Sequence, residues 1–316
     1  MSLAKTRDTK VIYGNKLAEL AEQDDRIVVV EADLMKASGS DVFAKKYPQR
    51  HFNVGIAEQN LVSFSAGLAA MGKIPFASSF ACFVSQRGCD QVVNSVAYNR
   101  FNVKLIGSYA GLTSEKNGGT HISIDDMGIF RALPGFQVID PADGVEFAAA
   151  LAYSAFHQGP VYIRQNKGVF PDLMDEKYVL QEGKSIVLSD GEDVGLITTG
   201  IATQEAVKAV AMLKQQGISV RHVHMPFIKP IDREEICRTA HQTKFLVSVE
   251  NHSVYGGLGS AVAEVIGEQS PTYLFRLGLQ DCFGETADIA YLMKKFGIDA
   301  ASIAQSVGKW HKKFSK

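Results

Sequence analysis

Neither sign of charge is in excess in this sequence. It has 33 Lys and Arg against 34 Asp and Glu, a formal net charge of −1. That balance offers no electrostatic case for nucleic acid or for an anionic membrane as a partner. Cysteine is scarce as well. The four copies, Cys82, Cys89, Cys237 and Cys282, show no CxxC or zinc-ligand spacing. A reduced, cytoplasmic protein is the simplest expectation. Residues 1–16 are polar and charged, without the apolar core of a signal segment. No apolar run reaches the ~20 residues that a bilayer requires. Internal repeats, low-complexity tracts and coiled-coil heptads are missing too.

What is present is an alternation of short apolar runs with helical patterns. The chain has 316 residues, 46% hydrophobic and 21% charged, enough for two ordinary domains. Residues 26–32 read Arg-Ile-Val-Val-Val-Glu-Ala, a β-branched run typical of a strand buried on both faces. Similar runs recur at 73–77, 102–107, 136–139 and 161–164, with helical spacing at 9–22 and again from 58 onward. Asp, Glu, Lys and Pro then crowd a stretch that breaks the rhythm, and 171–190 reads as a linker. Strands at 194–199, 220–224 and 245–250 and helices at 203–216 and 261–266 resume the pattern. The expected fold is α/β, with two mainly parallel-sheet domains at 1–170 and 191–316.

The chain turns on Phe52-Asn53-Val54-Gly55-Ile56-Ala57-Glu58-Gln59-Asn60. Glu58 opens a helix whose later residues, among them Leu61, Phe64 and Leu68, are apolar or small. On the residues alone, a helix-start carboxylate bonded to free amides is the plainer reading; a buried functional acid is the other. Asp33 and Leu34 follow a strand, where open α/β sheets place ligands, although a turn or cap role explains Asp33 equally well. Phe80 and Phe83, three apart, project to one side of a helix or tight turn, most simply as core. Residues 108–123 form a polar loop in which Gly118 and Gly119 permit close backbone approach. His121 follows them, either as a donor or as an ordinary loop histidine. Arg164 ends a strand, where it suits an anion or a salt bridge. Gly256-Gly257-Leu258-Gly259 lacks dinucleotide-loop spacing and reads as a tight turn. His222 and His224 share a strand face without an evident carboxylate or cysteine partner, so no metal site is expected.

Taken in order, these segments resemble the transketolase family of thiamine diphosphate enzymes. The resemblance rests on Asp33-Leu34, Gly55 through Gln59, Phe80 through Phe83, Gly119-Thr120-His121, Phe130 through Pro134, Pro141 through Gly144, Arg164-Gln165-Asn166 and Glu250-Asn251-His252, and runs over nearly the whole chain. It implies a pyrimidine-binding domain followed by the family's C-terminal domain. The family's Gly-Asp-Gly signature for Mg²⁺ and diphosphate does not occur in this sequence. The resemblance therefore implies the C-terminal subunit of a split transketolase, with metal and diphosphate ligands on an N-terminal partner subunit. It also implies self-association through the pyrimidine domain, giving a heterotetramer.

By the same resemblance, Glu58 hydrogen-bonds the cofactor's pyrimidine ring and tunes its electronics, protonated or sharing a proton through burial. Phe80 and Phe83 wall the ring, Asp33 and Leu34 lie near the cofactor, and His121 donates to substrate. Asn117 falls in the substrate loop, and Arg164 takes the phosphate of a sugar phosphate. The activity implied is transfer of a two-carbon ketol unit from a ketose phosphate to an aldose. Departures from the family pattern occur at Tyr109, at Asn117 with Gly118-Gly119, and at Gln86, and they place the usual pentose phosphates in question. Rival readings are 1-deoxyxylulose-5-phosphate synthase-like chemistry, a 2-oxoacid dehydrogenase beta-like subunit, and a non-catalytic binding or regulatory protein.

Overall fold

The structure, a computed structural model, describes residues 5–314. In the first half the strands are β1 (Thr6–Asp8), β2 (Ile27–Glu31), β3 (His51–Asn53), β4 (Ile74–Phe80), β5 (Lys104–Ser108), β6 (Gln137–Ile139), β7 (Val161–Gln165) and β8 (Val169–Pro171). In the second they are β9 (Ile186–Ser189), β10 (Val194–Thr198), β11 (Val220–His224), β12 (Phe227–Lys229), β13 (Phe245–Ser253) and β14 (Leu274–Leu279). A seven-stranded sheet runs in the order β12-β6-β7-β5-β4-β2-β3, and a five-stranded sheet in the order β14-β13-β10-β11-β9. The pairs within both are parallel except at two edges, where β12 and β9 run antiparallel to their neighbours. β1 and β8 form a separate two-stranded ribbon.

Burial on both faces explains the continuous apolar runs. Every residue of β2, β5, β7, β10 and β11 is buried. On one face of the large sheet, Tyr13, Leu17, Phe147 and Leu151 from helices Thr9–Gln23 and Gly144–Phe156 pack on Ile27, Val29 and Phe76. On the other, Leu61, Val62 and Ala66 of helix Glu58–Ala70 pack with Val30, Ala77, Val92 and Val96. Burying one such large side chain contributes about 1.5–3 kcal/mol, which fixes the head of that helix against the sheet.

The two halves are less separable than the linker reading expects. The end of 171–190 is strand β9, whose partly exposed Ile-Val-Leu-Ser is too short to stand out among charged neighbours. The second half also returns β12 to the edge of the first sheet, where Phe227 pairs with Ile139. Backbone hydrogen bonds therefore tie the two halves together.

Candidate active site

The carboxyl ends of β2, β4, β5 and β7 converge on one rim, and helix Glu58–Ala70 starts beside it. Glu58 is the first residue of that helix and is buried, yet its side chain caps no helix amide. Its Oε1 accepts from Ser79 Oγ at 2.8 Å and its Oε2 from Arg87 Nη1 at 2.7 Å. Ser79 is held in register by β4. Arg87 is delivered by a π-helical turn, Phe83–Arg87, closed by a 3.1 Å bond from Gly88 N to Phe83 O. The wider turn brings Arg87 back toward the helix head, and such turns concentrate at functional sites. The guanidinium also lies over the Phe83 ring, 4.3 Å from its centroid.

Aromatic side chains line the adjoining wall. Phe80 and Phe83 lie 5.8 Å apart between centroids, His121 is 5.0 Å from Phe83 and 6.0 Å from Phe80, and Tyr109 is 4.7 Å from Phe80. All four are partly exposed, unlike the core aromatics behind them. The Phe pair is therefore a wall rather than interior packing. His121 Nδ1 is 2.9 Å from Thr120 Oγ1. Its loop begins with a 3₁₀ segment, Gly111–Asn117, and packs on the second half. A Cβ on Gly118 would meet Thr286 Oγ1 at 2.7 Å, and one on Gly119 would meet Gly284 O at 2.5 Å. Those glycines are needed for contact with protein, where the sequence suggests contact with a ligand.

Asp33 adopts φ +63°, and its N–H and Oδ1 exchange 3.0 Å bonds with the Asn53 side chain. Asn53 Oδ1 also accepts from Gly55 N, so the Asp33–Leu34 turn is tied to the segment entering Glu58. Tyr109 and Glu115 share the unusual positive φ, which places strained non-glycine residues around the same rim. Asn117 is exposed, with its amide 3.3 Å from Ser114 Oγ.

Arg164 does not join this cluster, which corrects the phosphate expectation. Its guanidinium is fully buried, with Nε 2.8 Å from Asp126 Oδ2, Nη1 3.2 Å from Asp140 Oδ2 and Nη2 3.0 Å from Asn251 O. Burial is the strongest influence on Asp126 and works against its ionised form, but the charges of Arg164 and His252 and the hydrogen bonds from Tyr162 and Arg164 together outweigh it and hold that carboxyl below its ordinary range. Asp140 lies above its range, because burial and the Asp126 charge outweigh its single short guanidinium contact. Asn251 belongs to β13, so this cluster fastens the two halves. The expectation that His224 lacks a carboxylate is also corrected: its Nε2 is 2.7 Å from Glu146 Oε2, across the same seam. Both partnerships join residues far apart in sequence.

Sequence reasoning missed Ser79, Arg87 and Lys167. Lys167 Nζ stands 5.2 Å over the Tyr109 ring and 2.7 Å from Glu115. With Lys10, Ala37 and Gln165 it borders a hollow of about 170 Å³. A larger hollow, about 690 Å³, lies behind the sheet along helices Thr9–Gln23 and Gly144–Phe156, where the acid–aromatic cluster takes no part. Only the Arg next to Gln86 could have signalled Arg87, and nothing in the spacing predicts a π turn.

The partly exposed aromatic wall and the buried Glu58 carboxylate beside it offer ring faces and a polar group, the pairing that a flat heterocycle requires. Among the described residues, no group of three or more His, Cys, Asp or Glu side chains could hold a metal ion. No helix among them is long and apolar enough to cross a membrane.

Comparison with known proteins identifies the family of the chain. The family model described as transketolase, pyrimidine binding domain, matches residues 5–171, and that described as transketolase, C-terminal domain, matches 183–303. The 6-deoxy-6-sulfo-D-fructose transketolase subunit SqwH of Clostridium sp. (strain MSTE9) is 46% identical over 95% of this chain and 92% of its own. A putative transketolase C-terminal section of Methanocaldococcus jannaschii is 40% identical, with 95% of each chain covered. The solved structure of a split gene transketolase, an inactive beta4 tetramer, superimposes with a TM-score of 0.87 at 41% identity, covering 96% of this chain and 97% of that one. The chain belongs to the transketolase family, carries its pyrimidine-binding and C-terminal domains, and is built like the C-terminal subunits of split transketolases.

Proposed function

We propose that this chain is the C-terminal subunit of a thiamine diphosphate-dependent transketolase, moving a two-carbon ketol unit from an anionic ketose to an aldose. The observation that carries the reading is a buried Glu58 at a helix head, flanked by the partly exposed wall of Phe80, Phe83 and His121. When bound, thiamine diphosphate supplies the carbanion chemistry that no side chain provides. Glu58 binds the pyrimidine edge and governs where its proton resides. Phe80 and Phe83 orient the ring, while Asp33 and Leu34 shape the turn beside it. His121 donates a hydrogen bond to the substrate oxygen on which negative charge develops. Asn117, exposed at the loop tip, reaches substrate hydroxyls.

With Arg164 sequestered, the sugar's distal anion goes to Lys167, assisted by Lys10, in the hollow beside Tyr109. A lysine ammonium is a compact point charge that accepts phosphate or sulfonate alike. This suits a relative named for a sulfosugar as well as sugar phosphate substrates. Mg²⁺ and the diphosphate belong to an N-terminal partner subunit, with the pyrimidine domains paired about a two-fold axis in a heterotetramer. The similar split protein's tetramer of one subunit type is described as inactive, which supports a need for that partner. Four free cysteines suit a cytoplasmic setting.

Calorimetry of thiamine diphosphate with Mg²⁺ tests this, using the chain alone and mixed with its candidate partner. Tight binding only in the mixture is expected. Tight metal-dependent binding by the isolated chain, or none by a verified complex, would overturn the shared site.

A further inference from the structure

Arg87 occupies both contacts that a pyrimidine would need. Its Nη1 holds Glu58 Oε2 at 2.7 Å, and its guanidinium covers the Phe83 ring at 4.3 Å. Glu58 Oε1 is engaged by Ser79, whose side chain is buried, so Oε2 is the oxygen a ligand can claim. The Arg87 side chain is 42% exposed while that of Glu58 is 1% exposed, so the carboxylate meets the open side through its arginine. Among the described residues, the guanidinium has no other hydrogen-bond or ring partner. A long side chain held by those two contacts can swing into water at little cost, whereas Glu58, clamped at the helix head, cannot follow.

We propose that Arg87 is a displaceable counter-ion, which caps Glu58 while the pyrimidine site is empty and surrenders both Oε2 and the Phe83 face when the cofactor binds. The inference rests on the cofactor reading above and adds a positioning residue to it. Arg87 keeps a buried carboxylate from standing alone in the unloaded subunit, where an uncompensated charge would be costly. Binding must break that pair, so the arginine lowers the apparent cofactor affinity and makes the loaded state reversible.

The test is a double-mutant cycle read by calorimetry of thiamine diphosphate with Mg²⁺ on the assembled complex, not by turnover. Arg87→Ala is expected to tighten binding about fivefold, the loss of a half-exposed ion pair. In a Glu58→Gln background the same change is expected to leave affinity unaltered. Equal or weaker binding by Arg87→Ala overturns the proposal, and so does tightening that persists without Glu58. Thermal melting of Arg87→Ala at the wild-type temperature keeps the comparison free of folding defects. A wild-type complex that fails to bind at all overturns the cofactor reading itself, and the inference with it.

Discussion

Two arginine–carboxylate pairs sit at the same end of the large sheet, and their shortest contacts are nearly equal, although Arg164 grips Asp126 through two nitrogens and Arg87 reaches Glu58 through one. Arg87 meets Glu58 at 2.7 Å and Arg164 meets Asp126 at 2.8 Å. Their surroundings differ. The first pair has one side chain 42% exposed and an aromatic wall open beside it. The second is 0% exposed on both sides, closed over by β13 and a second carboxylate, Asp140. On the proposed reading, a charged group on this rim is left for a ligand where the second domain does not cover it. Where that domain covers it, the residue becomes a fastening between domains. The pair distance alone does not distinguish the two fates; coverage does.

The largest test of that contrast falls on the open pair. Glu58→Gln is expected to lower turnover of the assembled enzyme by at least about 100-fold, the scale of lost proton management, while leaving assembly and melting temperature unchanged. Near-normal steady-state turnover would remove Glu58 from the mechanism. The closed pair should respond in the opposite currency. Arg164→Ala strands Asp126 and Asp140 in the interior and should cost about 3–5 kcal/mol in urea unfolding. A stable Arg164→Ala protein, with a Michaelis constant raised only for phosphorylated sugars, would restore the phosphate role and erase the distinction.

Lys167 gives a smaller effect. Its ammonium is 39% exposed and is shared with Glu115, so it holds an incoming anion with modest strength. Lys167→Ala should raise the Michaelis constant for phosphorylated or sulfonated ketoses about tenfold, as expected for one charge-assisted hydrogen bond, and leave free sugars unchanged. Equal effects on both substrate types would mean that Lys167 only supports Tyr109.

The parts of the fold legible in sequence were those whose physics is local. Buried strands such as β2 declare themselves by five consecutive buried residues, and Glu58 by a carboxylate placed ahead of an apolar helix. β9 and β12 were hidden because short edge strands have no periodicity to read. The fate of Arg164 was hidden for another reason: Asp126, Asp140 and Asn251 lie 38, 24 and 87 residues away, and only the tertiary fold assembles them. Arg87 was missed because its direction depends on a π turn, which shifts every later side chain relative to an α-helix. The resemblance to a family supplied residue identities, but it did not reveal which charged groups remain open.

Glu31 extends the comparison to a buried carboxylate with no arginine. It ends β2 two residues before Asp33 and is fully buried, accepting a 2.6 Å bond from Ser38 Oγ. The neighbouring groups include Ser40 and the buried Tyr13, with His51 3.2 Å beyond Ser40. Burial pushes the Glu31 carboxyl up to about 8, and the serine hydroxyls only partly oppose it. In the unfolded chain it ionises near ~4.3. The folded state therefore holds the proton more tightly, so the stabilisation is complete below ~4 and is lost as pH rises, levelling off above about 8. Wild-type protein should lose urea stability between about pH 5 and 8, and Glu31→Gln, which keeps a neutral side chain throughout, should lose less. The variant should then be more stable than wild type at pH 8 and no more stable at pH 5. Glu250, pushed up by burial to about 7, adds a slope of the same sign, so the variant flattens the curve without abolishing it. Parallel curves for the two proteins would show that Glu31 is ionised in the folded state and has an undetected cationic partner. In that case burial without arginine would not be a third class of carboxylate on this rim.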